Sequence, residues 1–271
     1  MSGWLVDAHV HIHDCFPLPD FLAGALTNLS AGAQELGLPQ GTPGCLMLTE
    51  SAGADYFRRL RDGDLALPAD WKLRPSAADP SVVALYRGQP RVVLIAGRQI
   101  ATRERLEVLA LGWDGFIPDG APISEVLERV RAEDAGAVIP WGFGKWWGRR
   151  GAQVAELVEL AAPGTLFLGD NGGRPRLAPR PRLFRQAAER GVWTLPGSDP
   201  LPFPWQAGRA GSYGIFLPAD PELDRPASQI KELLRSAESQ PIGFGQREQL
   251  LRFVRAQANL RIRHLSGRRN R

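Results

Sequence analysis

Short apolar runs alternate with longer segments of helical periodicity along nearly the whole chain. Residues 4–9 open it as a first strand, whose period-two alternation puts Asp7, His9 and His11 on one face and Ala8, Val10 and Ile12 on the other. Further apolar runs predict strands at 45–49, 92–96, 115–117, 137–139, 165–168, 192–195 and 213–216. Helices are expected near 20–36, 52–61, 102–110, 152–161, 182–190, 227–236 and 246–259, with Thr102 as an N-cap. The clearest helical stripe follows Pro122, where Ile123, Val126, Leu127 and Val130 recur at helical spacing. Eight short strand candidates, most of them apolar and separated by helices, favour a parallel sheet covered on both faces.

An open doubly wound sheet would read similarly, but the glycine fingerprint of a dinucleotide site is missing after the first strand, where histidines stand instead. Polar residues cluster after strands one, five, six and seven, as on the rim of a barrel with its site at the C-terminal face. The expected fold class is therefore α/β, a distorted TIM-like (β/α) barrel with seven or eight mainly parallel strands. One domain, residues 1–260, takes up this pattern, followed by a basic tail at 261–271.

Charge changes this picture little. The 271 residues carry 33 Lys+Arg against 29 Asp+Glu, a net charge of +4, but five arginines fall within residues 261–271 and the body is close to neutral. That argues against a nucleic-acid partner, which would call for a concentrated basic surface on the body itself. The two cysteines, Cys15 and Cys45, allow at most one disulfide, and no apolar stretch approaches the length of a membrane span. The expectation is a cytoplasmic protein with a small-molecule partner and no membrane association. The additional helices leave a homo-oligomer open.

Candidate chemistry starts at residues 6–13, Val-Asp-Ala-His-Val-His-Ile-His, which hold three of the four histidines. Period-two geometry brings the His9 and His11 imidazoles within reach of one divalent metal. Asp7 shares their face but lies deeper, where it could orient an imidazole. Asp199, in Gly197-Ser-Asp-Pro200, follows an apolar strand directly and is the carboxylate best placed to bind metal or take a proton from water, although Ser-Asp-Pro is also good turn chemistry. Asp170, between glycines in residues 168–175, is a second candidate ligand or base, with Arg174 available to an anion. Arg98 occupies a similar rim position and could instead pair with Glu50.

The loop at 140–150, Pro-Trp-Gly-Phe-Gly-Lys-Trp-Trp-Gly-Arg-Arg, suits a pocket wall in which Trp141 packs against substrate and Lys145 or Arg149 meets its charge. It could equally be a loop pinned to the body by its own tryptophans. No P-loop, Ser-His-Asp order or nucleophile elbow is present.

The Asp-Ala-His-Val-His of residues 7–11 and the Gly-Ser-Asp-Pro of residues 197–200 resemble the opening and late motifs of the amidohydrolase superfamily, particularly its amidohydrolase-2 branch. The first motif is also similar to the opening of PHP-type phosphoesterases. The resemblance implies that His9, His11 and Asp199 hold a divalent metal, zinc or manganese, and that Asp199 activates water. It departs after the fifth and sixth strands, where such families place histidines and this chain has Trp141 and Asp170-Asn171, so one metal rather than two is expected. The function implied is a metal-dependent hydrolase acting on an amide, ester or lactone bond of a small anionic substrate. Phosphoester cleavage, decarboxylation and a non-catalytic barrel that binds a small anion or sugar remain alternatives.

Overall fold

The computed structural model describes residues 2–249 together with 254, 255 and 259. Among the described residues the strands form two sheets and no closed barrel, which overturns the expected TIM-like architecture. The seven-stranded sheet contains β1 (Gly3–Val10), β2 (Gly44–Leu48), β3 (Trp71–Pro75), β4 (Ser81–Tyr86), β5 (Gln89–Ile95), β11 (Tyr213–Pro218) and β12 (Ile242–Gly245), in the order β12-β11-β1-β2-β5-β4-β3. The five-stranded sheet contains β6 (Gly97–Ala101), β7 (Glu107–Leu111), β8 (Gly136–Pro140), β9 (Phe167–Asn171) and β10 (Thr194–Gly197), in the order β10-β9-β8-β7-β6. Parallel pairing is confined to β1-β2-β5 and β8-β9-β10, and every other pair is antiparallel.

Two hairpins account for much of the departure. Residues 102–110 carry helix-compatible residues, yet Thr102 closes a tight turn: its amide donates to the Leu106 carbonyl at 2.9 Å, and Arg105 sits at φ 61°. The chain reverses there and continues as β7 rather than as a helix. Between β4 and β5, Arg87 (φ 50°) and Gly88 (φ 79°) form a two-residue loop with both residues left-handed, the pattern of a type I′ hairpin. β3, β4, β6 and β12 were not expected from the sequence. Residues 115–117, expected as a strand, form none, and the helix expected at 246–259 falls largely outside the described residues, as does the basic tail.

Helices cover the outer faces. α1 (Leu18–Glu35) buries Phe21, Leu22, Ala25 and Leu29 against the larger sheet, with α2 (Tyr56–Arg61) beside it. α3 (Ile123–Ala132), α4 (Arg149–Leu160) and α5 (Arg182–Ala188) cover the smaller sheet, and α3 buries the stripe Ile123, Val126, Leu127 and Val130. Between the sheets Trp4, Val6 and Met47 meet Leu109, Val138 and Phe167, and α6 (Pro226–Arg235) adds Ile230 and Leu234 to the same core. Isolated contacts join the sheet edges: the Asp199 amide donates to the His9 carbonyl at 2.9 Å, and Glu50 bridges to Arg98 through two bonds, its amide donating to the Gly97 carbonyl at 3.1 Å and its carbonyl accepting from the Gln99 amide at 2.9 Å. The ends of β1 and β10 therefore meet without a continuous ladder. Among the described residues no helix is long and apolar enough to cross a membrane.

Candidate metal centre

The end of β1 delivers His9, and the residue just beyond it His11, to the junction of the two sheets, and the turn after β10 delivers Asp199. The Nε2 atoms of His9 and His11 are 3.0 Å apart, and each lies 3.6 Å from Asp199 Oδ1. Among the described residues these three side chains form the group whose donor atoms could share an ion. Ligands held at about 2.0–2.1 Å around a tetrahedral ion stand roughly 3.4 Å from one another, so the observed separations suit one metal. Three protein ligands with a fourth position left to water or substrate is the pattern of catalytic rather than structural sites.

Local backbone geometry sets this arrangement. A Cβ on Gly197 would lie 2.4 Å from His9 Cβ and 2.5 Å from the His9 nitrogen, so glycine permits β10 to approach β1 this closely. Asp199 adopts φ 45°, a left-handed conformation uncommon outside glycine and best tolerated by Asp and Asn. The hydrogen bond its backbone N–H donates to the His9 carbonyl fixes that turn. Asp7 lies wholly buried beneath the pair and touches backbone rather than imidazole. Its Oδ1 accepts from the amides of Ser198 (2.8 Å) and His9 (3.3 Å), and its Oδ2 from Gly211 (2.8 Å). The expectation that Asp7 orients a histidine ring is thus replaced by a role in tying β1 to the turns before Asp199 and β11.

Burial governs the protonation of these groups. It pushes Asp7 up to about 7, against the pull of its hydrogen bonds to Ser198, Gly211 and His9. Burial, followed by the neighbouring His9, lowers His11 to about 3, which keeps its imidazole neutral and its lone pair available near pH 7. For Asp199 burial acts upward but is outweighed by His9, His11, Lys145 and Arg209, so its carboxyl is held below the usual range. A neutral His11 and an ionised Asp199 are the metal-binding forms.

The other residues expected at the site have varied surroundings. Asp170 and Arg174 are buried together: Arg174 Nε and Nη2 donate to the two Asp170 oxygens at 2.8 and 2.7 Å, and the Tyr213 hydroxyl donates to Oδ2 at 2.9 Å. The donor cluster does not include Asp170. Arg98 is enclosed by Glu50 (3.0 Å) and the carbonyls of Ala54 and Gly115. Lys145 pairs with Glu107 at the start of β7 while its charge reaches Asp199. Arg149 is exposed at the start of α4.

Trp141 packs on the core under the smaller sheet, and its amide donates to the Gly169 carbonyl at 2.8 Å. With Phe143, Trp147 and Arg174 it lines a groove of about 750 Å³. The tryptophan loop is therefore partly anchored and partly open: Trp146 meets Phe184 edge-on at 5.3 Å, while Trp147 is 67% exposed. Sequence reasoning did not identify Arg209, Glu107, Glu248 or the Tyr213 hydroxyl. Their partners lie scores of residues away, and no local spacing signals them.

No protein-family model matches the chain, and no curated protein matches it. The amidohydrolase-like motifs thus stand as local resemblances. Two solved structures are similar in fold. PsfC from Pseudomonas syringae PB-5123 is 18% identical, with a TM-score of 0.57 over 98% of this chain and 100% of that one. The lesion-specific endonuclease PfuEndoQ from Pyrococcus furiosus is 12% identical, with a TM-score of 0.51 over 89% of this chain. The chain spans 58% of the endonuclease's length.

Proposed function

We propose that this chain is a metal-dependent hydrolase, with His9, His11 and Asp199 holding one zinc or manganese ion, and that the bond it breaks is a phosphoester in a small anionic molecule. The observation that carries the reading is the convergence of two imidazole nitrogens and a carboxylate oxygen at 3.0–3.6 Å. The choice of a phosphoester over an amide, ester or lactone is supported by the fold shared with a lesion-specific endonuclease, an enzyme of phosphoester cleavage, and by the cation Lys145 beside the cluster.

A divalent ion bound there supplies Lewis acidity and brings the pKa of water toward neutrality. The protein's own groups do the rest. His9 and His11 present Nε2, and Asp199 presents Oδ1 to both while its other oxygen can accept a proton from the attacking water. Lys145, steadied by Glu107, orients the substrate's charge. Burial of both histidines limits competition from bulk water.

The test is metal analysis of the purified protein and of His9→Ala and Asp199→Ala, followed by assays with phosphomonoester, phosphodiester, amide and lactone panels. About one equivalent of metal in the parent, lost from both variants, and metal-dependent phosphoester turnover are expected. Less than a tenth of an equivalent with no uptake on titration, or undiminished metal in both variants, overturns the reading. Turnover of a carbonyl panel alone would retain the hydrolase and replace the bond class.

A further inference from the structure

We propose that the cavity between α1, the loop that follows it and the start of β5 is a second ligand site, for a small organic monocarboxylate, with Arg91 as the residue that binds the carboxylate. It stands apart from the His9–His11–Asp199 cluster and does not rest on the hydrolase reading.

The cavity measures about 530 Å³, within the range of small-molecule sites. The second half of α1 gives it Leu26, Ser30 and Gln34, and the sheet gives it Tyr86 and Arg91. Among the described residues no acidic side chain lines it. Arg91 is half-buried and, among the described residues, makes no hydrogen bond and no ion pair. By contrast, Arg98 and Arg174 are held by Glu50 and Asp170, and Arg87, in the turn before β5, by Asp70. The Arg91 guanidinium lies over the backbone of Gly41, which has φ 88° and no side chain to displace it. Drawing a cation partly out of water without a counter-charge is unfavourable, and an anionic ligand would relieve that cost.

The surroundings set the charge and class of that ligand. One cation balances one negative charge. Gln34 belongs to the last turn of α1, where the helix dipole carries partial negative charge, so a phosphate dianion would meet no second favourable partner. A carboxylate matches two parallel N–H groups along one edge of a guanidinium. Leu26, Leu38 and the Tyr86 ring offer apolar surface to the body of the ligand. Ser30, Gln34 and Gln40 offer side-chain donors and acceptors that make no hydrogen bond among the described residues. An acylated amino acid combines these features in a carboxylate, an amide and an apolar side chain.

The site is remote from the metal cluster. Val92 pairs with Gly44 and Gly44 with Leu5 in parallel strands, so Arg91 stands level with Trp4. Roughly 16 Å of strand then separates that level from His9.

N-acetyl-L-leucine is the probe, titrated calorimetrically into the full chain, with its uncharged analogue N-acetyl-L-leucinamide and inorganic phosphate alongside. Expected is saturable binding of N-acetyl-L-leucine with a Kd of about 1 mM or tighter. The leucinamide should bind at least about tenfold more weakly, and phosphate more weakly than the carboxylate. Arg91→Met should lose about tenfold or more of the affinity. Arg91→Lys keeps the charge without the fork, serves if the methionine variant does not fold, and should fall between. Arg74→Met, which removes an exposed cation of β3 outside the cavity, should bind as the parent does. Metal-loaded and metal-free protein should bind alike, whether or not the hydrolase reading holds. No binding of the probe below about 10 mM overturns the proposal. So does tighter binding of phosphate than of the carboxylate, or the parent's affinity in a folded Arg91→Met. Binding that appears only with metal also overturns it, by placing the carboxylate on the cluster.

Discussion

Replacing Gly197 with alanine probes how the two sheets build the cluster. The glycine's φ lies outside the left-handed region, so alanine's own backbone preference is not the obstacle. The obstacle is space: the added Cβ would stand 2.4 Å from His9 Cβ, 2.5 Å from the His9 nitrogen and 2.9 Å from its Cα. Carbon contacts become favourable only at about 3.5–4.0 Å, so β10 and β1 must part by roughly 1 Å. The opposing atoms lie on or next to the backbone of a buried strand and cannot swing aside as a flexible side-chain end would. Overpacking of this kind costs about 1–3 kcal/mol. Metal–ligand distances tolerate only about 0.2 Å, so a shift of that size between His9 and Asp199 should also weaken metal binding at least about tenfold. Denaturant melts of metal-free protein would measure the first effect, and competition with a chromophoric chelator the second. Gly208→Ala is the control, because it is exposed and a Cβ there meets nothing within 4 Å. Its stability should stay within about 0.5 kcal/mol of the parent. A Gly197→Ala protein with the parent's midpoint and metal affinity would refute the claim that close sheet contact sets the site.

Three further outcomes are expected. Asp7 titrates near 7 in the fold against an ordinary value of 3.8, so the folded state holds the extra proton and stability should fall as pH rises from about 4 through 7. Asp7→Asn should flatten that slope and lower stability by about 1–3 kcal/mol, because its amide would face the Gly211 N–H; an unchanged midpoint-versus-pH profile would rule this out. Asp170→Asn leaves Arg174 buried opposite a neutral group and should cost about 3–5 kcal/mol in a denaturant melt while metal content holds, and loss of the metal would instead make Asp170 a ligand. Lys145→Met should raise KM for an anionic substrate severalfold with little change in kcat, and a fall in kcat alone would place Lys145 in the chemical step.

The His9–His11–Asp199 cluster was partly legible in the sequence because strand periodicity is local. His9 and His11 lie two residues apart, and a strand places alternate residues on one face whatever surrounds it. The α3 stripe was legible for the same reason, as one helical period repeats within the segment. Asp199 could be suggested from its turn after an apolar strand and from its Gly-Ser-Asp-Pro motif, but its 3.6 Å approach to both imidazoles depends on Gly197 allowing two distant strands to touch.

Sequence by itself determined the α/β alternation, the buried face of α3 and the paired imidazoles, all of which follow from side-chain spacing within one element. Tertiary structure alone decided that the strands divide into two sheets, because pairing direction turns on tight turns such as Thr102–Leu106 and Arg87–Gly88, whose effect on hydrogen bonding between strands is not written in hydrophobic period. It likewise decided which charges matter. Asp170 met Arg174 and Arg98 met Glu50, whereas Arg209, with no sequence signal, came to stand near Asp199. Burying a charge demands a partner in space, and the partner need not be near in the chain.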